Sequence, residues 1–373
     1  MSRIGIVCYP SVGGSGIVAT ELGLAIAARG WEVHFISYAP PVRLKRFAEN
    51  VQFHQVLTDN YPVFHHPPYT LSLATKLVEV TQEHGLELLH VHYAVPHATC
   101  AFLAREMLGS SRLRTVTTLH GTDITLVGVQ PAFRTAVRFS IDRSDGVTAV
   151  SSWLREQTTA AFGLAKEIEV IPNFVDTERF APRSRSRRTG SFCEEGRKVI
   201  MHASNFRPVK NIGGVIRTFK RITERIPANL VLVGEGPELS KAHDLVTTYG
   251  LSAQVFFLGM QDAMDELLAQ SDLLLQPSEH ESFGLTALEA MASGVPVVLT
   301  NRGGTAELVE SGISGFLADP EDEEGMASWA SDLLLRPDQW RAVSQAARKR
   351  AVEHFAQETI VDRYLDYYAR ILG

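Results

Sequence analysis

The chain has little of what would indicate a secreted, membrane-bound or nucleic-acid-binding protein. Its 373 residues include three cysteines, an odd number too scattered for a disulfide framework or a Cys-type zinc site: Cys8, Cys100 and Cys193. No apolar run reaches the ~20 residues of a membrane span, and Met1 leads directly into a strand-like segment rather than a signal-peptide pattern. The net charge of −6 disfavours a general nucleic-acid binder. We therefore expect a cytoplasmic protein whose partners are small molecules, neither nucleic acid nor membrane, and the sequence leaves a homo-oligomer open.

What the chain does have is the pattern of two α/β domains. Short apolar runs alternate with helix-length segments, which is typical of parallel sheets covered on both faces. In the first half the predicted strands are residues 3–9, 32–38, 88–92, 115–119 and 146–150. In the second half they are residues 198–203, 229–233, 254–258, 272–276 and 295–299. The predicted fold class is therefore α/β, with two Rossmann-like, doubly wound parallel-sheet domains.

A break in this pattern at Pro172 sets the predicted domain boundary. It divides the chain into an N-terminal domain, residues 1–171, and a C-terminal domain, residues 172–373. Residues 183–191 form a basic loop, and we interpret the arginines from Arg183 to Arg188 as solvated because the whole chain is acidic. Residues 339–372 read as one long helical stretch with an apolar stripe. This predicts an end helix that packs back toward the N-terminal domain.

A strand, a turn and a helix start follow one another in residues 272–291. The helix start can present free backbone N–H groups and a positive dipole end to an anion such as a phosphate. Glu281 lies in the turn and Glu289 about two helical turns later, so two carboxylates flank the predicted anion site. This spacing suits a nucleotide sugar, with one acid for the sugar and one for the ribose. The candidate donor-binding residues here are Ser282, Phe283, Gly284, Leu285 and Glu289.

Two further loops of the second half follow predicted strands. Arg207 and Lys210 come after strand 198–203, and the carboxyl ends of parallel strands border the ligand crevice of such sheets. Their positive charges are well placed to stabilise a departing diphosphate. Gly234 and Glu235 follow strand 229–233 and are weaker donor-binding candidates, because a lone Gly-x-Gly is a common loop.

In the first half, a glycine-rich turn leads from the first strand into a helix. Gly14, Ser15 and Gly16 let the backbone approach a ligand closely, although a tight turn without a ligand remains an alternative. The dinucleotide fingerprint Gly-x-Gly-x-x-Gly is absent, which disfavours a nicotinamide dehydrogenase. His120 directly follows strand 115–119, where a neutral imidazole can orient a reacting group. No acidic or cysteine residue at ligand spacing accompanies the nearby strand histidines, so we expect no metal site.

These residues carry a resemblance to a known family. The second half, with Glu281 and Glu289, the Arg207/Lys210 pair, GEG at 234–236 and GGTAE at 303–307, resembles the retaining, two-domain glycosyltransferases of family 4. The first half is more particular. Its segments CYPSVGGSG (8–16), HVHYAVPH (90–97) and LHGTDI (119–124), with SNFRPVK (204–210), closely resemble the N-acetyl-α-D-glucosaminyl L-malate synthases of bacillithiol biosynthesis.

The resemblance implies a GT-B fold with the two domains facing a cleft, where a retaining reaction proceeds without a metal or other cofactor. UDP-N-acetylglucosamine would be held mainly by the second domain and L-malate by the first. Glu289 is then expected to bind the ribose and Glu281 the sugar, whereas Arg207 and Lys210 bind the diphosphate. The segment Gly14 to Gly16 would lie between phosphate and acceptor, with Gly14 and Gly16 as further donor-binding candidates. His120, Arg207, Lys210 and Glu281 are the candidate catalytic residues, and the acceptor-binding candidates are Ser15, Tyr93 and Thr122. Arg143, just before strand 146–150, is a further acceptor candidate because a malate dianion needs positive charge, with a surface ion pair as the alternative.

Other functions remain open at this point. One is a family 4 transferase with a lipid or glycan acceptor, and another is a UDP-sugar epimerase, which would need no acceptor. A non-catalytic UDP-sugar sensor would bind the nucleotide sugar without releasing UDP. The motifs of the first half favour the malate acceptor over these alternatives.

Overall fold

The computed structural model describes residues 2–11, 13–44, 48–58, 67–109, 112–183 and 190–373. Residues 184–189 of the predicted basic loop lie outside these ranges, so only Arg183 of its arginines is described. The chain divides into two compact units. The first unit comprises Met1–Asn173 and Glu358–Gly373, and the second unit is Phe174–Gln357.

The first unit is built on a seven-stranded sheet in which every described pairing is parallel. Its strands are β1 (Arg3–Val7), β2 (Glu32–Ser37), β3 (Val51–Gln55), β4 (Leu88–His92), β5 (Arg114–Leu119), β6 (Gly146–Ala149) and β7 (Glu169–Val170). Its first five helices are α1 (Gly14–Ala28), α2 (Tyr69–His84), α3 (Thr99–Leu108), α4 (Pro131–Arg143) and α5 (Ser152–Phe162). Side-by-side order in the sheet is β3-β2-β1-β4-β5-β6-β7.

The second unit repeats this plan with a six-stranded parallel sheet. Its strands are β8 (Lys198–Ala203), β9 (Ala228–Val233), β10 (Val255–Phe257), β11 (Leu273–Gln276), β12 (Val297–Thr300) and β13 (Phe316–Ala318), in the order β10-β9-β8-β11-β12-β13. Its helices are α6 (Ile212–Thr223), α7 (Leu239–Thr248), α8 (Met264–Ala269), α9 (Leu285–Ala292), α10 (Thr305–Leu308), α11 (Glu323–Leu335) and α12 (Pro337–Phe355).

Each sheet contains one point where the strand order reverses. In the first unit this switch point lies between β1 and β4, and in the second between β8 and β11. The loops after the two strands at a switch point leave the sheet in opposite directions, and the crevice between them is where open α/β sheets bind ligands. The loops that follow β1, β4, β8 and β11 are therefore the ones that position the candidate site.

The C-terminal region forms two helices rather than the single long helix that the sequence predicts. Ala356 has an extended conformation, with ψ at 140°, and separates α12 from α13 (Gln357–Leu372). Helix α13 belongs to the first unit apart from its first residue. There the hydroxyl of Tyr368 hydrogen-bonds Nδ1 of His90 at 2.6 Å, and the Tyr367 hydroxyl donates to the Val147 carbonyl at 3.2 Å. Ile360, Tyr364 and Tyr367 of the predicted apolar stripe are therefore buried in the first unit, whereas Phe355 lies on α12 in the second unit.

The helix boundaries follow from local capping. Ser151 begins α5 by accepting a hydrogen bond from the Leu154 N–H at 3.1 Å, and Gly163 ends that helix in the left-handed conformation. Asp322 caps α11 in the same way, through the N–H of Gly325.

None of the helices in the described part of the chain combines the length and apolarity that crossing a membrane requires.

Candidate active site

The turn after β1 requires glycine at position 16. A Cβ atom there would lie 2.6 Å from the Ser11 carbonyl oxygen and 2.7 Å from that of Tyr9, far inside contact distance. Helix α1 therefore starts tightly against the end of β1. Gly13, the residue before Gly14, has no side chain that could cap the helix, so no N-cap side chain competes with an anion for the first N–H groups of α1.

Tyr93 joins this turn from the other side of the switch point. It directly follows β4, and its hydroxyl lies 2.8 Å from Oγ of Ser15. Its backbone is held in the left-handed region at φ 87°, which is strained for a tyrosine. Tyr9 packs edge-on against its ring, with centroids 5.6 Å apart. Two of the predicted acceptor-binding residues, Ser15 and Tyr93, are thus in direct contact.

His120 lies beside the same pair at the end of β5. Its ring is 5.3 Å from that of Tyr93, and its Nε2 lies 2.8 Å from Nδ1 of His92. Burial, and secondarily the proximity of His97, lowers the pKa of His120 to about 3. The imidazole is therefore neutral at physiological pH and can act as a hydrogen-bonding group rather than as a cation.

Asp123 is a residue of this loop that the sequence analysis did not select. Its carboxylate is buried, with the residue 1% exposed, and accepts hydrogen bonds from three backbone N–H groups: Ala94 at 3.0 Å, Gly121 at 3.0 Å and His120 at 3.3 Å. Burial outweighs these bonds and raises the pKa of Asp123 to about 6. One side chain thus holds the loops after β4 and β5 together. The sequence signal that could have identified Asp123 is its position two residues after Gly121, just beyond the end of a predicted strand.

The other two predicted acceptor residues lie in different places. Thr122 is half-buried next to Asp123, at the start of the helical turn Thr122–Val127. Arg143 is exposed at the end of α4, where its guanidinium lies over the Phe139 ring at 5.3 Å. Arg143 precedes β6, whereas Tyr93 and His120 follow their strands. It therefore lies at the amino ends of the parallel strands, opposite the carboxyl ends that carry Tyr93 and His120. The structure does not bring it to the Ser15–Tyr93 pair.

No metal role follows for the strand histidine His90. Its Nε2 hydrogen-bonds Thr118 Oγ1 at 2.6 Å, and its Nδ1 is taken by Tyr368. With both ring nitrogens engaged, it has no lone pair free for a metal ion.

In the second unit, Lys210 and Glu281 meet across the switch point. Lys210 Nζ donates to Glu281 Oε1 at 2.5 Å, and Ser278 Oγ donates to the same oxygen at 3.1 Å. The side chains of Lys210 and Glu281 are 21% and 12% exposed, so the pair is largely shielded from solvent. Arg207 is exposed on the same loop, three residues before Lys210. Two predicted catalytic residues are therefore in contact, with a third nearby in sequence.

Asn211 fixes the geometry of this loop and was also missed in the sequence. Its Oδ1 caps α6 by accepting the Gly214 N–H at 3.0 Å, and its Nδ2 donates to the Pro277 carbonyl at 3.0 Å. The side chain thus ties the loop after β8 to the loop after β11. An asparagine directly before a helical pattern was the available signal.

The loop after β9 approaches the same strand end. Gly234 has φ of 116°, and a Cβ atom there would lie 1.8 Å from the Ser204 carbonyl oxygen. Glu235, next in the chain, is exposed. Glycine is therefore needed at position 234, because the backbone there passes close to Ser204, where the loop that carries Lys210 begins.

Helix α9 begins at the predicted anion-binding turn. Gly284 is its N-cap in a left-handed conformation, with φ of 98°. Phe283 is buried, Ser282 and Leu285 are half-buried, and Glu289 is 4% exposed on the helix. The Glu281 carbonyl accepts the Gly304 N–H at 2.7 Å, so the loop after β12 supports the turn. The predicted donor-binding residues around this turn form a continuous segment with one buried acid.

Comparison with solved structures identifies the fold. A glycosyltransferase from Rickettsia africae superposes with a TM-score of 0.81 at 19% identity, covering 100% of this chain and 99% of that one. Anabaena HepE in complex with UDP-glucose gives a TM-score of 0.82 at 22% identity, covering 99% and 100%. These likenesses assign the GT-B fold of glycosyltransferases, in which both domains are Rossmann-like.

The family follows from sequence comparison. The model of Glycosyltransferase Family 4 matches residues 12–179, and that of Glycosyl transferases group 1 matches residues 186–350. The N-acetyl-alpha-D-glucosaminyl L-malate synthase of Bacillus anthracis is 45% identical over 99% of this chain and 97% of its own length. A GDP-mannose-dependent phosphatidylinositol monomannoside mannosyltransferase of Mycolicibacterium smegmatis is 30% identical over 80% of this chain and 81% of its own. The chain therefore belongs to the glycosyltransferase family that contains the Bacillus anthracis synthase, and it carries the Family 4 and group 1 regions in that order.

Proposed function

We propose that the protein transfers N-acetylglucosamine from UDP-N-acetylglucosamine to the hydroxyl of L-malate with retention of configuration. The products are N-acetyl-α-D-glucosaminyl L-malate and UDP, and the reaction is the first step of bacillithiol biosynthesis, in the cytoplasm. The observation that carries the proposal is the 45% identity to the Bacillus anthracis synthase over 99% of the chain. That identity spans the segments of both units that carry the candidate site. The same family also contains a mannosyltransferase at 30% identity, so the acceptor needs its own test.

The charges of the second unit support the donor half of the proposal. A nucleoside diphosphate gains negative charge as it leaves, and Lys210 and Arg207 at the β8 strand end supply positive charge for it. The start of α9 adds backbone N–H groups. Glu281 holds the Lys210 ammonium in one orientation and can accept hydrogen bonds from sugar hydroxyls. Glu289 is the carboxylate assigned to the ribose hydroxyls.

The uncharged groups of the first unit support the acceptor half. Ser15 and Tyr93 offer hydroxyls 2.8 Å apart, and the N–H groups at the start of α1 favour an anion such as a malate carboxylate. Neutral His120 can hydrogen-bond a sugar or acceptor hydroxyl without adding a charge. These groups suit a small polar acceptor.

The proposed chemistry is a front-face substitution that needs no metal. The malate hydroxyl oxygen bonds to the anomeric carbon on the face from which UDP departs, and the hydroxyl proton passes to an oxygen of the leaving phosphate. Lys210 and Arg207 lower the barrier by stabilising the charge of that phosphate. In a chelating buffer the turnover rate is expected to stay unchanged.

One assay tests the function. The protein is incubated with UDP-N-acetylglucosamine and L-malate, and UDP and the glycosylated acid are measured by mass spectrometry. Succinate is the matched control, because it keeps both carboxylates of malate and lacks the hydroxyl. We expect product with malate and none with succinate. A lack of malate-dependent product would refute malate as the acceptor. Conversion of the nucleotide sugar without any acceptor would indicate an epimerase. Binding of the nucleotide sugar without release of UDP would indicate a sensor.

A further inference from the structure

Three histidines from separate elements of the first unit converge at a place remote from the switch point. His34 lies in β2, His54 in β3 and His84 at the end of α2. One ring nitrogen of each lies within 4.8 Å of those of the other two. Nδ1 of His34 and Nε2 of His54 are 2.9 Å apart, and the His34 and His84 rings are 4.4 Å apart.

The fold builds this cluster from residues far apart in sequence. Ile36 belongs to the core that α2 covers, and His34, two residues earlier, points to the same face of the sheet. His54 pairs with Ile36 in the register between β2 and β3 and shares that face. His84 is the last residue of α2, and Gly85 turns the chain away in the left-handed conformation. The cluster therefore lies where α2 ends, whereas the candidate active site lies at the strand ends that precede the helices.

The surroundings orient the His34 imidazole for a metal ion. His34 is fully buried, and its Nε2 lies 3.2 Å from Glu32 Oε1. A carboxylate at that nitrogen can accept its N–H, which leaves the lone pair on Nδ1, the nitrogen that faces His54. Metal-bound histidines commonly donate their other N–H to a carboxylate in this way.

The nearby charges also favour a cation. Glu32 reaches the cluster through its carboxylate, and Glu83 Oε2 lies 3.8 Å from Nε2 of His84. Lys76 is the opposing charge near His54, and its ammonium is paired with Glu79 at 2.9 Å. Among the described residues, Glu32 and Glu83 therefore place negative charge beside the imidazoles, and the positive charge of Lys76 is paired with Glu79.

We propose that His34, His54 and His84 bind one Zn²⁺ ion, with a water as fourth ligand and the Glu32 carboxylate accepting the N–H of the other His34 ring nitrogen. Zinc accepts imidazole and carboxylate ligands in a tetrahedron, and Zn–N bonds of about 2.0–2.1 Å place two ligand nitrogens roughly 3.4 Å apart. Small ring rotations bring the three nitrogens to that spacing. The ion ties the end of α2 to the edge strands β2 and β3. Its role is structural, and it takes no part in sugar transfer.

The test uses the full chain without an affinity tag, stripped of metal with a chelator and dialysed. Zn²⁺ binding is measured by calorimetry, and Co²⁺ is used as a spectroscopic probe of tetrahedral nitrogen ligation. The variants are His54→Gln and His84→Gln, with exposed His354→Gln on α12 as the matched control. Circular dichroism verifies that each variant is folded.

We expect one Zn²⁺ per chain in the wild type and in His354→Gln. His54→Gln and His84→Gln should each weaken binding by more than the roughly 10- to 100-fold that loss of an outer-shell partner costs. Zn²⁺ should raise the melting temperature of the wild type and leave that of His84→Gln unchanged. Absence of stoichiometric binding would overturn the proposal, as would wild-type affinity in the folded His84→Gln variant.

Discussion

The contact between Lys210 and Glu281 leads to a prediction that separates stability from catalysis. The two groups are 2.5 Å apart, and their side chains are 21% and 12% exposed. At an effective dielectric constant of about 20, the attraction at that distance amounts to about 7 kcal/mol before the lost hydration of both charges is subtracted. For a pair this shielded we expect a net coupling of about 1–3 kcal/mol.

The perturbation is a double-mutant cycle of Lys210→Met, Glu281→Gln and the combined variant. Lys210→Met leaves the buried Glu281 carboxylate with the Ser278 hydrogen bond in place of its ion pair, so we expect it to destabilise the second unit by about 2–3 kcal/mol. The double variant should cost less than the sum of the single ones by the coupling energy. Urea unfolding followed by circular dichroism measures these free energies.

A matched control is available on α7. Lys241 Nζ and Glu238 Oε2 are 2.7 Å apart, but the lysine side chain is 62% exposed. Solvent screening should limit the coupling of that pair to about 0.5 kcal/mol. Equal coupling in the two pairs would refute the argument from burial.

The same variants test the catalytic assignment. If the Lys210 ammonium stabilises the leaving diphosphate, Lys210→Met should lower kcat by about 10²- to 10³-fold, comparable to the loss of one charge-stabilising donor. Lys241→Met should leave kcat unchanged. If the cycle gives the expected coupling energy but Lys210→Met keeps a near wild-type kcat, the ion pair is structural and not catalytic.

Three further predictions concern other parts of the structure. Gly234→Ala should destabilise the protein by about 3 kcal/mol or more in urea unfolding, because its Cβ would meet the Ser204 carbonyl; Gly250→Ala, also at positive φ but in open space, should cost only about 1 kcal/mol. The pKa of Asp123 rises from 3.8 to about 6 on folding, so the free energy of unfolding should fall by about 2 kcal/mol as pH rises from about 4 to 6; Asp123→Asn should remove that decline. Arg143→Ala should leave the apparent KM for malate unchanged.

Much of the fold could be predicted because parallel strands buried on both faces are apolar runs. β4 and β8 have the predicted bounds. β3 was missed because it is an edge strand whose residues are largely half-exposed, so no apolar run marks it. β13 is three residues long, too short for a pattern. The break at Ala356 was missed because α12 and α13 each continue a helical pattern, and neither proline nor glycine separates them.

The candidate site could be predicted where the chemistry is local and not where it depends on distant residues. Turns rich in glycine and charges at strand ends are visible in a short window, which is how Gly16 and Lys210 were selected. The histidine cluster joins residues 20 to 50 positions apart, and only the pairing of β2 with β3 brings two of them together. Arg143 was placed by its charge alone; its position before a strand, rather than after one, already pointed to the other edge of the sheet.

The two switch points use the same architecture for different chemistry. Across the first, Ser15 and Tyr93 join by a hydrogen bond between neutral hydroxyls, and the adjacent His120 stays neutral because it is buried. Across the second, Lys210 and Glu281 join as an ion pair. Charge is thus concentrated in the unit assigned to the diphosphate. If malate binds in the first unit, the hydroxyls of Ser15 and Tyr93 and the N–H groups of α1 are the described groups of this switch point that can hold its carboxylates, and Arg143 is not among them. Such neutral donors recognise an acid by geometry rather than by net charge, which favours selection among small acids of equal charge.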